Sequence, residues 1–503
     1  MLCQASLIER LLRRVGALLR EYRVPLLTAF AVGLLAHGYV FANNLPGADQ
    51  FTGPFSKGGD FEFGRWFLRV TNLLFPGGSL PWVYGLLSLC FYAAVVCLTI
   101  RIFAIRNPFL QGALAAAFLS FPSLTSLYCY FFTCIPYAIA LLLAVLAVLI
   151  AGERGWPRAL LSAALLAMSL GIYQAYIAVA STYFVLLMIR RLLRGEGEAR
   201  AVFLFGLRAL GILGLALLLY FGINRLVLAL LNIEMMPYME ESAYSLPYKV
   251  ALAYNALLKA ITRGYFGFAP RPLSRAVHAL GALAVLGVFA RWFWKNRDLP
   301  RGALLALCLL LFPLSMNCIF LIASVEVIHS LALYSFVCVY VLAVIAVETL
   351  EGRIGRVGRD LLLTGVGLIA AVNVLFANEV YLKMDMELRS AIATYTEIVT
   401  QVKQTPGFDA NSRVALIGRL DEALYRPEEL DTGDLLGPEP DLVNVYSKEY
   451  LIRIYLGFDA DFLSRDEDWL LSFDPRVAAM PCYPYYGSVQ KVDDVIVVKL
   501  GEY

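Results

Sequence analysis

The chain has 503 residues, of which 60% are hydrophobic and 16% are charged, and its mean hydropathy is +0.69. Soluble proteins carry about 25% charged residues, so this composition excludes an ordinary soluble globular protein. The formal net charge of +3 is too small to indicate a class of partner. Apolar runs of about 20 residues, the length that crosses a bilayer, recur along the chain and predict a polytopic α-helical membrane protein.

The N-terminal segment 1–23 is basic and amphipathic. The positive-inside rule places it in the cytoplasm, and its pattern predicts a helix lying on the inner membrane surface. The apolar run that follows has no convincing small-residue cleavage site, so it is interpreted as a retained span rather than a signal peptide.

About eleven membrane spans are predicted within 24–378, with basic residues in every loop assigned to the cytoplasm. The alternative is that segment 159–189 forms one span instead of two, which would invert everything after it. The basic loops that follow argue against that alternative. The spans lie at about 24–42, 80–100, 107–127, 128–150, two within 159–189, 201–231, 273–294, 302–321, 325–350 and 360–378.

The first outer loop, 43–79, is far more polar than the apolar runs around it. Gly and Pro punctuate its first part, 43–66, which is interpreted as a structured loop. The segment 63–75 carries an apolar stripe and predicts a helix lying on the outer membrane surface. The ionisable residues of 43–66 are Asp49, Lys57, Asp60, Glu62 and Arg65.

Polar residues interrupt segment 159–189 at 169–176, where two short helices are predicted to meet. A polar break at membrane depth is tolerated where it faces protein or a wet cavity. Tyr173 and Gln174 are therefore candidates for a cavity wall, and plain helix packing is the alternative.

A second outer segment, 232–272, supplies further cations: Lys259, Arg263 and Arg271. These side chains could contact a phosphate or only lipid headgroups. His329 lies one helical turn from Glu326 near an outer membrane edge; structural pairing is favoured over catalysis, and His329 is kept as a candidate for donor binding.

From about residue 379 the composition becomes globular. The segment 379–503 predicts an extracytoplasmic α/β domain of ordinary size. Its expected elements are a helix to about 404, a strand at 414–417, a helix near 447–455 and a strand pair ending at 495–500.

The sequence has no Walker loop, dinucleotide fingerprint, zinc-protease motif or nucleophile elbow. No cofactor is expected, and a divalent metal is possible but not indicated. The carboxylates suit a base that takes a proton from an acceptor hydroxyl, and the cations suit a leaving phosphate. This pattern fits sugar transfer from a lipid phosphate, although exposed charges often form only surface ion pairs.

Five motifs give the chain a resemblance to the type II Gtr membrane glucosyltransferases, which decorate bacterial O-antigens and other surface glycans. The motifs are HGYVFANNLPGADQF (37–51), FGRWF (63–67), SLGIYQAY (169–176), ANEVYLKM (377–384) and MPCYPYYGSVQKVDDVIVVKL (480–500). The resemblance implies a GT-C type glycosyltransferase in the bacterial cytoplasmic membrane. It would move a hexose, expected to be glucose, from polyprenyl phosphate to a surface glycan on the extracytoplasmic side.

The resemblance assigns the catalytic base to Asp49, with Asp60 as the second choice, and gives Arg65 a role in binding the donor phosphate or ordering the loop. The expected partners are the lipid-linked donor, the glycan acceptor and the bilayer, and no nucleic acid. One rival is a lipid-linked sugar flippase or transporter, which predicts ionisable residues deep in the spans. Another is a polymerase or ligase of surface glycans.

Overall fold

The computed structural model describes residues 7–51, 61–75, 80–235, 244–263, 272–322, 328–409, 411–425, 442–445 and 447–502. These residues form a helical bundle and a small α/β part. The α-helices are α1 (Leu7–Glu21), α2 (Arg23–Ala42), α3 (Ala48–Phe51), α4 (Leu68–Leu74), α5 (Pro81–Phe103), α6 (Pro108–Leu119), α7 (Pro122–Cys129), α8 (Cys134–Ala151), α9 (Trp156–Leu170), α10 (Ile177–Arg194), α11 (Ala199–Leu231), α12 (Leu246–Arg263), α13 (Pro272–Asn296), α14 (Leu299–Met316), α15 (Ile319–Ile322), α16 (Cys338–Glu348), α17 (Gly352–Gln404), α18 (Lys448–Tyr455), α19 (Arg465–Leu471) and α20 (Pro475–Ala478).

The described residues contain ten helical segments long and apolar enough to cross a membrane. Some of them combine an α-helix with an adjoining short helix, as in Pro108–Cys129 and Ser330–Glu348. The protein is therefore a multi-pass membrane protein. We refer to the end of the bundle where α2 ends and α5 begins as the first-loop end, because the loop 43–79 joins those two helices.

The segment predicted to hold two short helices does contain two, α9 and α10. The helix α9 has 15 residues and is about 22 Å long at 1.5 Å per residue, shorter than the hydrocarbon core of about 30 Å. Its end is anchored in the bundle, because the Ser169 hydroxyl donates a hydrogen bond to the Ala140 carbonyl at 2.7 Å. The break between the two helices thus lies inside the protein.

Two of the three histidines are structural. Nε2 of His37 lies 2.8 Å from the Leu119 carbonyl oxygen and must donate to it, so Nδ1 accepts from the Tyr381 hydroxyl at 2.8 Å. His278 is satisfied in the same way by one backbone carbonyl and one tyrosine hydroxyl. Each ring nitrogen has its partner, so both imidazoles serve the packing of the bundle.

The helix α17 has 53 residues and runs without interruption from the membrane bundle into the α/β part. The domain boundary expected at 378/379 therefore falls inside a helix. Two hydrogen bonds join the parts near this point: the Tyr39 hydroxyl donates to Asp385 at 3.0 Å, and the Asn44 side chain donates to the Tyr455 hydroxyl at 3.2 Å.

The α/β part contains the expected strands. Its four-stranded sheet has the order β2-β1-β4-β3, with β1 (Arg413–Ile417), β2 (Asp461–Phe462), β3 (Val489–Val492) and β4 (Val495–Lys499). The strand β1 is parallel to both β2 and β4, whereas β3 and β4 form an antiparallel hairpin. Apolar side chains of α17 and α18 cover one face of the sheet, and those of α19 and α20 lie on the other.

Two buried ionisable side chains flank Leu416 at the centre of this sheet. The Lys448 ammonium donates to the carbonyls of Leu416 and Gly418, and a carboxyl oxygen of Asp468 accepts from the Leu416 amide at 3.2 Å. Burial raises the pKa of the Asp468 carboxyl to about 7 and lowers the pKa of the Lys448 ammonium. Both groups stabilise the strand through backbone hydrogen bonds at a desolvation cost.

The expectation of one surface helix over 63–75 is wrong. The structure has a 3-10 turn at Phe61–Phe63, a turn through 64–67 and a helix only at Leu68–Leu74. The apolar residues of the turn pack onto the protein, so the stripe reflects docking rather than a continuous helix. The reason is the local backbone: Gly64 has a φ of +72°, a left-handed conformation that a regular helix does not contain.

Candidate functional site

The turn 63–67 docks onto the break between α9 and α10. The backbone amides of Phe67 and Leu68 both donate to the Gly171 carbonyl, at 2.7 and 3.1 Å. The approach is close enough that a Cβ on Gly171 would lie 2.6 Å from the Trp66 ring. Two segments that the sequence marks separately, FGRWF and SLGIYQAY, therefore form one structural unit at the first-loop end.

The Gln174 side chain links the turn 63–67 to the helix break by hydrogen bonds. Its amide nitrogen donates to the Phe63 carbonyl at 2.8 Å and to the Tyr220 hydroxyl of α11 at 3.0 Å. That hydroxyl occupies the space where a Cβ of Gly64 would stand. The half-buried amide thus satisfies its hydrogen bonds inside the protein, as a buried polar group must.

Docking brings the Arg65 guanidinium next to aromatic rings. Its central carbon lies 5.9 Å from the Phe63 ring centroid and 6.0 Å from that of Tyr173, within cation–π range. Tyr173 is stacked on Tyr137 with centroids 4.0 Å apart and an interplanar angle of 16°. The cation is therefore held at the edge of a rigid aromatic wall.

The aromatic wall continues into the bundle. Tyr176 meets Tyr173 edge-on at 5.3 Å, and Tyr92 lies 5.8 Å from Tyr334. The 3-10 helix that contains Tyr176 contacts the 3-10 helix Ser330–Val337. Tyrosine rings from four separate parts of the chain are thus buried in the bundle next to the docked turn.

His329 directly precedes Ser330–Val337 and presents a buried donor. Its Nδ1 accepts a hydrogen bond from the Leu331 amide at 3.1 Å, so the neutral ring carries its proton on Nε2. Nε2 is buried and has no hydrogen-bond partner among the described residues. The ring meets Tyr130 edge-on at 5.7 Å. Burying an N–H donor without an acceptor costs free energy, unless a ligand or a water molecule accepts a hydrogen bond from it.

Asp49 lies in the short helix α3, and its side chain is exposed. The segment before it is tightly packed: a Cβ on Gly47 would lie 2.9 Å from the carbonyl oxygen of Cys129, the residue before Tyr130. The helix α3 also contacts α18 of the α/β part. Asp49 is therefore placed where the bundle, the first loop and the C-terminal part meet.

The remaining described candidates are spread more widely. Glu62 is half-buried in the 3-10 turn Phe61–Phe63. Lys259 is exposed on α12, which packs on α13, α14 and α15. Arg263 ends α12, and its side chain is not among those described. Of these residues, Glu62 directly precedes the docked turn, whereas Lys259 and Arg263 lie on α12, away from that turn in the sequence.

Other predicted site residues lie outside the described ranges. They are Lys57, Asp60 and Arg271, together with Glu326, the expected neighbour of His329. The predictions made for these residues therefore stay predictions.

A buried ion pair on α17 was missed by the sequence reasoning. The Lys383 ammonium lies 4.0 Å from the Glu387 carboxylate, and both side chains are largely buried. The helix α17 contacts α7, and α7 ends at Cys129, whose carbonyl oxygen faces Gly47 in the packed segment before Asp49. The available signal was two opposite charges four residues apart, but such pairs usually face solvent.

The described residues contain no group of three or more His, Cys, Asp or Glu side chains arranged to hold a metal ion. A family model described as glucosyl transferase GtrII matches residues 38–342, which is more than half of the chain. The matched region includes the first loop, the docked turn, the helix break and His329. Comparisons with curated proteins and with solved structures found no match.

Proposed function

The chain belongs to the glucosyl transferase GtrII family, and from that premise we propose that it transfers glucose from a polyprenyl-phosphate donor to a surface glycan on the extracytoplasmic side of the membrane. We propose a GT-C arrangement in which the reaction takes place at the first-loop end of the bundle. The α/β part would lie on the same side, beside the acceptor.

The observation that carries this proposal is the docking of the turn 63–67 onto the break 171–176. Docking holds a cation, Arg65, against Tyr173 at the end of the bundle that also carries Asp49. A leaving phosphate needs a fixed cation, and an acceptor hydroxyl needs a nearby base. Both kinds of group are present at this end.

The proposed step is a displacement at the anomeric carbon of the donor. Asp49 takes the proton of the acceptor hydroxyl, and the hydroxyl oxygen forms the new bond to the anomeric carbon. The bond from that carbon to the phosphate oxygen breaks, and the lipid phosphate leaves with the electron pair. Arg65 and the Nε2–H group of His329 stabilise the charge on the phosphate.

The other candidates keep secondary roles in this proposal. Tyr173 and Gln174 position the turn that carries Arg65. Further candidates for phosphate contact are Lys57, Lys259, Arg263 and Arg271, and Asp60 or Glu62 is the alternative base.

The test compares Asp49→Asn with wild type in reconstituted membranes, using polyprenyl-phosphate-glucose and extracted cell-envelope glycan. Removal of a general base lowers a rate by about 10²- to 10⁴-fold, and we expect a loss in that range. The matched control is Asp494→Asn, the same substitution at an exposed residue of the α/β part, which should transfer at the wild-type rate.

Each outcome decides one part of the proposal. Wild-type transfer by Asp49→Asn would move the base to Asp60 or Glu62. If the wild-type protein transfers no glucose from polyprenyl-phosphate donors to any envelope glycan, the proposed donor is wrong.

A further inference from the structure

A basic cavity lies at the end of the bundle opposite to the first-loop end. Its volume is about 790 Å³, within the range of small-molecule sites. It is formed where α5, α10 and α16 end and where α6 and α17 begin. Four arginines and three glutamates line it, and the arginines are Arg106, Arg194, Arg356 and Arg359.

Two of the glutamates are already neutralised. The Glu348 carboxylate accepts from the Arg194 guanidinium at 2.6 Å and from the Arg106 backbone amide at 2.9 Å. Glu196 pairs with Arg190 at 2.7 Å. These pairs form a fixed wall, so their carboxylates do not oppose an incoming anion at full strength.

Two of the arginines carry a positive charge that no described carboxylate neutralises, so they can bind an anionic ligand. The side chains of Arg106 and Arg356 are exposed and have no carboxylate partner among the described residues. The positive end of the 53-residue helix α17 opens into the same cavity, and its N-cap residue, the exposed Glu351, makes no capping hydrogen bond through its side chain. A guanidinium fork matches the geometry of a phosphate, and a helix N-terminus adds to that preference.

The exposed apolar side chains beside the cavity indicate that its ligand is a lipid with acyl chains. Phe109, next to the cavity at the start of α6, is 67% exposed, and Leu361 on α17 is 68% exposed. Ile354 in the first turn of α17 is also exposed. Apolar side chains left exposed on the helices of a membrane protein contact lipid, so the cavity opens beside the lipid-facing surface.

We propose that this cavity binds the phosphate of an anionic lipid headgroup, with Arg106 and Arg356 as its two cationic contacts. The ligand's phosphate lies between the two guanidinium groups and the start of α17, and its acyl chains follow the apolar surface beside Phe109. This site is separate from the proposed sugar-transfer site and does not depend on it.

The experiment uses the purified full chain in detergent, probed with phosphatidylglycerol and phosphatidylcholine by native mass spectrometry. We expect the wild-type protein to retain phosphatidylglycerol preferentially. The Arg106→Ala/Arg356→Ala variant should lose about tenfold or more in affinity, the scale of one or two lost charge-assisted contacts. The control is Arg353→Ala. Arg353 is exposed and lies one helical turn before Arg356, but it does not line the cavity, so this variant should bind as wild type.

A second variant and a second probe keep the test decisive. Arg106→Lys/Arg356→Lys keeps the charge but removes the fork, and it should bind more weakly than wild type. Equal retention of both lipids by wild type, or wild-type binding by the alanine variant, would overturn the proposal. If inorganic phosphate displaces phosphatidylglycerol at comparable concentration, the ligand is a soluble phosphate compound and the lipid assignment is wrong.

Discussion

Replacing Gly171 by Ala tests whether the docked turn matters for glucose transfer. Gly171 has φ −67° and ψ −9°, a conformation that alanine adopts without strain, so the effect is purely steric. The new Cβ would lie 2.6 Å from the Trp66 ring and 3.0 Å from Cβ of Phe67. The indole is a rigid ring and the Phe67 atom adjoins the backbone, so the Trp66 side chain or the turn itself must move.

Overpacking of this kind costs about 1–3 kcal/mol. That range corresponds to a change of about 5- to 150-fold in the ratio of docked to undocked turn. An undocked turn no longer holds Arg65 against Tyr173, so we expect glucose transfer to fall. The factor above is the upper limit of the loss, because the docked fraction falls in proportion to the ratio only when the undocked turn becomes the main form. The assay is transfer in reconstituted membranes, with the unfolding temperature measured alongside.

The control is Gly214→Ala on α11, where a Cβ would meet nothing within 4 Å, and it should transfer as wild type. Adding Trp66→Phe to Gly171→Ala removes part of the overlapping ring and should restore part of the activity. Wild-type transfer by Gly171→Ala would refute the link between docking and activity. Equal losses in both glycine variants would show that the effect is not specific to this contact.

Two further predictions concern the α/β part. Lys448→Met leaves the carbonyls of Leu416 and Gly418 without their donor, at about 1–3 kcal/mol for each unsatisfied group, so limited proteolysis of the full chain should cut this part faster. Because the folded-state pKa of Asp468 is raised to about 7 from an ordinary value near 4, its contribution to stability is complete below that ordinary value and is lost as the pH rises through 7. When the unfolding temperature is measured against pH, Asp468→Asn should flatten this fall. An unchanged dependence on pH would show that Asp468 is not the group responsible.

The sequence was informative where a property depends on local composition. Apolar runs indicated the membrane helices, and the polar interruption at 169–176 indicated the break between α9 and α10. Short apolar runs indicated β1 and β4, because a buried strand leaves such a local pattern. The expected helix over 63–75 failed because an apolar stripe does not reveal a left-handed glycine or a carbonyl acceptor elsewhere in the chain.

Local sequence patterns could not predict contacts between residues far apart in the chain. The bond between Gln174 and the Phe63 carbonyl joins residues 111 positions apart, and no periodicity encodes it. The burial of Lys383 and Glu387 was also hidden, since an i,i+4 charge pair has the same sequence pattern in solvent and in a core.

The sequence by itself therefore determined the class of protein, most helices and strands, and the residue types available for chemistry. Only the tertiary structure decided which of them come together: Arg65 with Tyr173, His329 with Tyr130, and Arg106 with Arg356 around one cavity. The physical reason is that hydropathy and backbone preference act over a few residues, whereas a binding site is assembled by packing between segments that the chain brings together only when it folds.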